Sequence, residues 1–158
     1  MATIATIGHG RAGFATLEAV LERHGIVMIV DVRSEPYSRH APDFTRARLE
    51  TLCAAAGIGY RWMGRHLGGR PADPALLDAE GRPDAERVAA DPAFRAALDT
   101  VAALAGSAGI VLLCAEEDPG GCHRSGLLAP ALEASGHRVV HLRHDGTAFP
   151  HQDRLDLG

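Results

Sequence analysis

The sequence predicts an α/β fold of three layers, with a mostly parallel five-stranded sheet between two layers of helices. Short apolar runs alternate along the chain with amphipathic segments, as in successive strand–helix–strand units. The run IVMIVDV at 26–32 is apolar almost throughout, which is typical of a strand covered on both faces. A doubly wound sheet accommodates both observations.

Apolar runs predict the strands, and amphipathic segments that close on glycine predict the helices. We expect strands at 3–7, 26–32, 58–62, 110–114 and 139–142. We expect helices at 16–25, 45–57 and 93–105, and a fourth from the turn at Cys122 to residue 135. Thr16 is a candidate N-cap, and Gly25 and Gly57 are candidate C-terminal residues.

The whole chain, 1–158, is expected to form a single domain with a long loop or lid insertion at about 63–92. Four prolines and several glycines in this insertion leave room for one short helical turn and little else. The tail from about residue 144 is expected to be irregular. With 46% hydrophobic and 23% charged residues, the composition is ordinary for a globular chain of this length.

The composition of the chain disfavours or excludes several classes of function. A net charge of −4 disfavours duplex nucleic acid as a partner. All 16 basic side chains are arginine, so lysine Schiff-base chemistry is excluded. No apolar run approaches the ~20 residues of a membrane span, so no membrane partner is expected. Three cysteines form no even disulfide framework and suit a reducing compartment, which predicts a cytoplasmic protein.

The segment from 110 to 136 predicts a reactive-thiol or anion site. Its strand stops at Cys114, an acidic loop follows, and Cys122, His123 and Arg124 precede a helix. A helix N-terminus brings backbone N–H groups and a positive dipole end to such a turn. A cysteine in this environment, beside histidine and arginine, has a lowered pKa.

Polar residues also follow the first two predicted strands, and parallel strands gather their carboxyl ends at one edge of the sheet. We therefore predict one strand-end pocket, built from His9, Asp31, Arg33, Glu116, Cys122, His123 and Arg124.

The leading hypothesis is a thiol-dependent enzyme, of transferase or hydrolase type, that takes a small anionic or nucleotide-like substrate and needs no cofactor. Its predicted catalytic residues are Cys122 as nucleophile or redox thiol, His123, Glu116 as the proton carrier, and His9 as acid–base group. Its predicted binding residues are Arg33, Arg124, Asp31, Ser38, Arg39, Cys114, Tyr60, Gly68 and Gly69. Of these, Arg33 and Arg124 bind the anion, whereas Tyr60, Gly68 and Gly69 belong to the lid and its hinge. Cys114 is equally natural as a small buried hydrophobe.

Four segments carry a resemblance to a known family. TIGHG at 6–10, VDVRSEPYSR at 30–39, YRWMGRHLGG at 60–69 and LLCAEEDPGGCHR at 112–124 resemble the bacterial family of domain of unknown function 488. The strand, Asp-Val-Arg segment and cysteine loop are also similar, more weakly, to rhodanese-like domains. That similarity implies a sulfur-carrying role for Cys114, although the loop here is longer and holds three acidic residues.

Two alternatives stay open. A nonenzymatic module for single-stranded nucleic acid or a phosphorylated ligand would use Arg33, Arg39, Arg61, Arg65 and Arg70, with Tyr60 and Trp62 stacking on bases. A metal-binding scaffold would use Cys114, Cys122, His123 and either Glu116 or His9 as ligands of Zn²⁺ or Fe²⁺.

Overall fold

The computed structural model describes residues 1–152 and contains one six-stranded sheet in the order β3-β2-β4-β1-β5-β6. The strands are Thr3–Gly8 (β1), Met28–Asp31 (β2), Gly59–Trp62 (β3), Ile110–Cys114 (β4), Arg138–Leu142 (β5) and Ala148–Pro150 (β6). The first five are parallel to one another, and β6 is antiparallel to β5. The predicted α/β class and mostly parallel sheet are therefore confirmed.

The sixth strand corrects the prediction of five strands and an irregular tail. A hairpin joins β5 to β6, in which Asp145 Oδ1 accepts from the backbone N and the hydroxyl of Thr147, at 2.9 and 2.7 Å. Gly146 has a φ of +89°, which glycine adopts without strain. The Asp145–Gly146 dipeptide is a hairpin signal that the sequence analysis overlooked.

The helices cover the predicted segments and add two more. They are Phe14–Arg23 (α1), Arg46–Ala56 (α2), Gly64–Leu67 (α3), Ala85–Ala90 (α4), Pro92–Ser107 (α5) and Ala129–Ala134 (α6). Short 3-10 turns lie at Pro42–Phe44, Pro74–Leu76 and Pro119–Gly121, and a π-helical turn, Arg124–Leu128, leads directly into α6.

Helix α1 begins at Phe14, before the predicted cap Thr16. The backbone N of Phe14 donates to Asp43 Oδ2 at 2.9 Å, so a carboxylate from a distant loop stabilises the helix start. No local sequence pattern reveals such a cap.

The insertion at 63–92 holds more regular structure than predicted. Besides α3 it contains the turn at Pro74–Leu76 and helix α4. Asp84 Oδ1 accepts from the backbone N of Glu86 and Arg87, each at 3.1 Å, which caps α4. Leu67, at the end of α3, is 1% exposed, so this part of the insertion belongs to the core.

Two apolar clusters lie on opposite faces of the sheet. Residues of α1 and α2, such as Leu17 and Leu49, pack on one face. Residues of α3 to α6, such as Leu98 and Leu132, pack on the other. The chain therefore leaves β1 and β2 towards one face and leaves the adjacent β4 towards the other, which opens a crevice at their carboxyl ends.

Within residues 1–152, none of the helices combines the length and apolar character needed to span a membrane.

Candidate active site at the carboxyl ends of β2 and β4

A cleft of about 350 Å³ lies at this edge of the sheet. Three loops line it: Arg33, Ser34, Glu35 and Tyr37 after β2; Gly69 and Arg70 after α3; and Ala115, Glu116, Cys122 and His123 after β4. Four of the predicted site residues thus meet in one cleft with Gly69 of the predicted hinge.

Cys122 carries the thiol that faces the cleft, and its surroundings favour the thiolate. The Cys114 sulfur lies within 4.8 Å of the Cys122 sulfur, and His123 Nδ1 lies 3.6 Å from it. Burial opposes ionisation, but the neighbouring Cys114 thiol, the His123 imidazole with its charge, and the backbone N–H of Arg124 hold the pKa of Cys122 well below its usual value. Burial and the neighbouring thiolate raise the pKa of Cys114. The pair therefore places a thiolate in the cleft and a neutral thiol beneath it.

The loop between the two cysteines is built to present Cys122. Asp118 Oδ1 accepts from the backbone N of Gly120 at 2.9 Å and starts the 3-10 turn. The backbone carbonyl of Cys122 then accepts from the N of Ser125 and Gly126, at 3.1 and 3.3 Å. Cys122 therefore lies immediately before a helical segment, where N–H groups and the helix dipole stabilise negative charge.

The His123 ring is fixed from two sides. Its Nε2 donates to the backbone carbonyl of Val32 at 3.2 Å, which leaves Nδ1 directed to the Cys122 sulfur. Gly69 packs against the ring so closely that a Cβ there would lie 3.1 Å from it. The predicted hinge glycine is thus part of the wall that orients His123.

Arg124 does not line the cleft, contrary to its expected place in the pocket. It is fully buried, and its NH2 donates to the backbone carbonyls of Glu116 and Glu117, at 2.6 Å each. These bonds hold the acidic loop against the end of β4. The predicted anion-binding guanidinium is therefore engaged by the protein's own backbone.

A buried polar chain continues from Arg124 across the sheet. Its NH1 donates to Thr6 Oγ1 at 3.4 Å, and that hydroxyl lies 2.6 Å from His141 Nδ1. His141 Nε2 lies 3.1 Å from His151 Nδ1. Burial lowers the pKa of His141 to about 4, and the charge of Arg124 adds to the effect.

Asp31 and Arg33 form a buried two-bond ion pair beside the cleft. Arg33 Nε donates to Asp31 Oδ1 at 2.8 Å, and NH2 donates to Oδ2 at 2.7 Å. Tyr60 donates its hydroxyl to the same Oδ2 at 2.6 Å, and this bond and burial raise the pKa of Tyr60. Asp31 and Tyr60 therefore contribute to the cleft indirectly, because they hold the Arg33 guanidinium in position.

His9 is a buried partner of Arg33, stacked on Phe44 at 4.8 Å between ring centroids. Its Nδ1 donates to the Gly10 carbonyl at 2.9 Å, so Nε2 accepts from Arg33 NH1 at 3.3 Å. Burial lowers the pKa of His9 to about 4. The ring is thus a neutral acceptor that positions Arg33, and it does not line the cleft.

Glu116 lines the cleft and is exposed to solvent. Ser38 and Arg39 lie away from the cleft. Ser38 Oγ accepts from the backbone N of Ala41 at 3.0 Å and shapes the following turn, whereas Arg39 is exposed. Gly68 packs against Ser34, where a Cβ would collide with the hydroxyl.

The cleft is also lined by Ser34, Glu35 and Tyr37, which the sequence did not predict, and by Arg70, which was predicted only for the nucleic-acid alternative. The first three directly follow Arg33, so extending the strand-end rule by a few residues would have found them. Ser34 Oγ accepts from the backbone N of Arg70 at 2.9 Å. That bond depends on the path of α3, and no sequence signal indicated it.

Of the residues of the nucleic-acid hypothesis, Arg33 and Arg70 line the cleft, and the others do not. Trp62 Nε1 donates to the Arg33 carbonyl at 2.8 Å, and the Arg46 guanidinium lies 5.1 Å from the indole centre. Arg61 and Arg65 are exposed and do not line the cleft.

For the metal hypothesis, the described residues bring three candidate ligand atoms within 4.8 Å of one another, on Cys114, Cys122 and His123. Neither Glu116 nor His9 belongs to that group. The arrangement offers three ligands of the four that a closed structural zinc site uses.

A family model described as domain of unknown function DUF488 matches residues 14–130. The matched range contains every residue that lines the cleft and omits His9. No curated protein matches the chain, and no solved structure matches it either.

Proposed function

The chain belongs to the DUF488 family, whose description assigns no activity, and we propose that it is a thiol-dependent enzyme acting on a small anionic substrate. The observation that carries the proposal is the state of Cys122. Its sulfur faces an open cleft, bound by a buried thiol and an oriented imidazole that stabilise the thiolate. Residues with a perturbed pKa in a cleft are candidate catalytic groups.

The anion preference rests on Arg33. The described residues engage three of its five N–H bonds, through Asp31 and His9. The remaining N–H groups belong to a guanidinium that lines the cleft and cannot swing away. Arg70, from the facing loop, adds a second positive charge.

The chemistry proceeds in two steps. In the first, the Cys122 sulfur bonds to the electrophilic centre of the substrate, and the bond to the leaving group breaks. The leaving group takes a proton from solvent, while Arg33 binds the developing negative charge. In the second, the Glu116 carboxylate accepts a proton from water or an acceptor alcohol, whose oxygen attacks the same centre and releases the Cys122 thiolate.

We also propose a sheet type, a distant structural likeness and a cellular compartment for this protein. The connections that follow β1 and β4 lie on opposite faces of the sheet, which supports a doubly wound sheet. Strand β4 followed by a cysteine and an anion-facing loop is similar to rhodanese-like domains, but here Cys122, not the buried Cys114, faces the cleft. Three free cysteines support a reducing, cytoplasmic site of action.

Two alkylating reagents of similar size test the anion site. Iodoacetate is anionic and iodoacetamide is neutral, and a free thiolate repels the former. We expect native Cys122 to react faster with iodoacetate than with iodoacetamide, and the denatured protein to show the reverse preference. Replacing Arg70 by Ala, or Arg33 by Lys, should lower the native preference for iodoacetate because each removes part of the anion contact.

Arg82→Ala is the matched control, since Arg82 is exposed and lies outside the cleft. Circular dichroism of each variant verifies that the fold is retained. A native Cys122 that prefers iodoacetamide as strongly as the denatured chain does would contradict an anion site. Reaction that starts only after a chelator is added would favour the metal-binding scaffold.

A further inference from the structure

Cys114 and Cys122 lie side by side in the fold although seven residues separate them along the chain. Both are free thiols, and their sulfur atoms lie within 4.8 Å of each other. Cys122 faces the cleft, whereas Cys114 is 0% exposed at the end of β4. A reactive thiol with a second thiol behind it is the arrangement of a dithiol that closes to a disulfide.

We propose that Cys114 is a resolving thiol: a peroxide oxidises Cys122 to a sulfenic acid, and Cys114 converts that acid to an intramolecular disulfide. The inference rests on the proposed reactivity of Cys122, and it adds a second reaction and a role for a residue that the first proposal does not use.

Each step balances. The Cys122 thiolate attacks one peroxide oxygen, the O–O bond breaks, and the leaving oxygen takes a proton from solvent and departs as water or an alcohol. The peroxide gains two electrons and the sulfur loses two. Cys114 then attacks the Cys122 sulfur, the S–O bond breaks, and hydroxide leaves as water with the Cys114 proton. Two equivalents of a low-molecular-weight thiol return the disulfide to the dithiol.

Oxidation of Cys122 lowers the pKa of Cys114, which favours the attack of Cys114 in the second step. Burial is the largest cause of its raised pKa, but the hydrogen bond and the charge of the Cys122 thiolate raise it further. Oxidation of Cys122 removes that thiolate. The Cys114 proton is therefore held less tightly once the sulfenic acid has formed.

Cys53 is the third cysteine, and it is not in position to resolve Cys122. It lies in the apolar cluster under α1 and α2, on the opposite face of the sheet from the cluster that contains Cys114. Burial also raises its pKa, to about 11. This makes Cys53 a suitable control.

Closing the disulfide requires the two sulfurs to approach to about 2.05 Å. Cys114 is held in the sheet by the pairing of β4 with β1. The movement must therefore come from the loop before Cys122, whose Gly120 has no side chain to obstruct it. The disulfide removes the Cys122 nucleophile from the cleft until a thiol reduces it, and so it also protects Cys122 from irreversible oxidation.

The test treats the reduced full chain with equimolar hydrogen peroxide, with and without the sulfenic-acid reagent dimedone, and maps the peptides without reduction. The wild type is expected to give a Cys114–Cys122 disulfide that dithiothreitol reverses. Cys114→Ser is expected to accumulate the dimedone adduct at Cys122 and, with excess peroxide, the sulfinic acid. Cys53→Ser should behave as the wild type.

The outcomes separate the two proposals. If Cys122 alkylates readily and gives a dimedone adduct but the wild type forms no disulfide, the resolving role is overturned and the reactive thiol stands. If native Cys122 reacts with neither reagent, both proposals are overturned. The wild-type peptide map decides the question even if Cys114→Ser does not fold.

Discussion

Asp31 binds the guanidinium of Arg33 with both carboxylate oxygens, and the two side chains are 0% and 4% exposed. The backbone N of Arg33 donates to the same carboxylate at 3.1 Å. A residue at the end of β2 therefore fixes the direction of a cation two positions later. A buried ion pair therefore orients an arginine that lines the cleft.

Replacing Asp31 by Asn should destabilise the protein by roughly 3–5 kcal/mol, because it leaves the buried Arg33 charge without its partner. The free energy of unfolding in urea measures the change. The matched control is Glu50→Gln, which removes the partner of Arg46 in an exposed pair on α2. That substitution should change stability by no more than about 0.5 kcal/mol. Equal losses from the two substitutions would contradict the account of Arg33.

Gly8→Ala should strongly destabilise the fold. A Cβ at Gly8 would collide with the backbone carbonyl of Glu116, which Arg124 holds in place. Gly106→Ala is the control, because nothing lies near a Cβ at that position of α5 and alanine favours a helix by about 1 kcal/mol. Thermal denaturation should give a large decrease in Tm for the first variant and a small increase for the second. A tolerated Gly8→Ala would show that the acidic loop can move away from β1.

Folding stability should fall as the pH is lowered from 6.5 to 4. His9 and His141 both have a folded pKa lowered to about 4 from 6.5, chiefly by burial. Between these values the unfolded chain binds protons that the folded chain does not, so stability is full above pH 6.5 and is lost as the pH falls. Each residue contributes roughly 1.4 kcal/mol per pH unit of its shift.

Unfolding in urea at several pH values checks this dependence. His9→Gln should reduce the slope of stability against pH, since it removes one of the two groups. His40→Gln, at an exposed position, should leave the slope unchanged. A His9→Gln slope equal to that of the wild type would contradict the buried neutral state of His9.

His123→Gln should shift the alkylation profile of Cys122 to higher pH, because it removes the imidazole charge and its contact with the sulfur. His66→Gln, in an exposed position of α3, is the matched control and should leave the profile in place. The shift should be partial, since Cys114 and the Arg124 backbone still stabilise the thiolate. An unshifted profile would mean that the Cys114 thiol and the start of the helical segment alone lower the pKa of Cys122.

The sequence alone predicts the family, the fold class and part of the candidate site. The family and the α/β class are confirmed, since the patterns that carry them are local motifs and apolar runs. Arg33, Cys122 and His123 meet as expected because parallel strands bring their following loops to one edge.

Other features depend on contacts between distant segments. The place of Arg124 depends on two backbone carbonyls whose positions follow from the loop path. The start of α1 depends on Asp43, and the place of Arg70 depends on Ser34. No periodicity or spacing in the sequence records these contacts. The strand β6, in contrast, had a local signal in Asp145–Gly146 that could have been used.

The central claim is that the Cys122 thiol is ionised and reactive in the native protein. The pH dependence of alkylation by iodoacetamide, read at each cysteine by mass spectrometry with and without a chelator, tests it most directly. The account predicts a Cys122 rate with a midpoint well below pH ~8.5, the ordinary thiol value, while Cys53 and Cys114 stay unreactive until the protein is denatured. A midpoint at or above ~8.5, or a Cys122 that reacts only after denaturation, would contradict it.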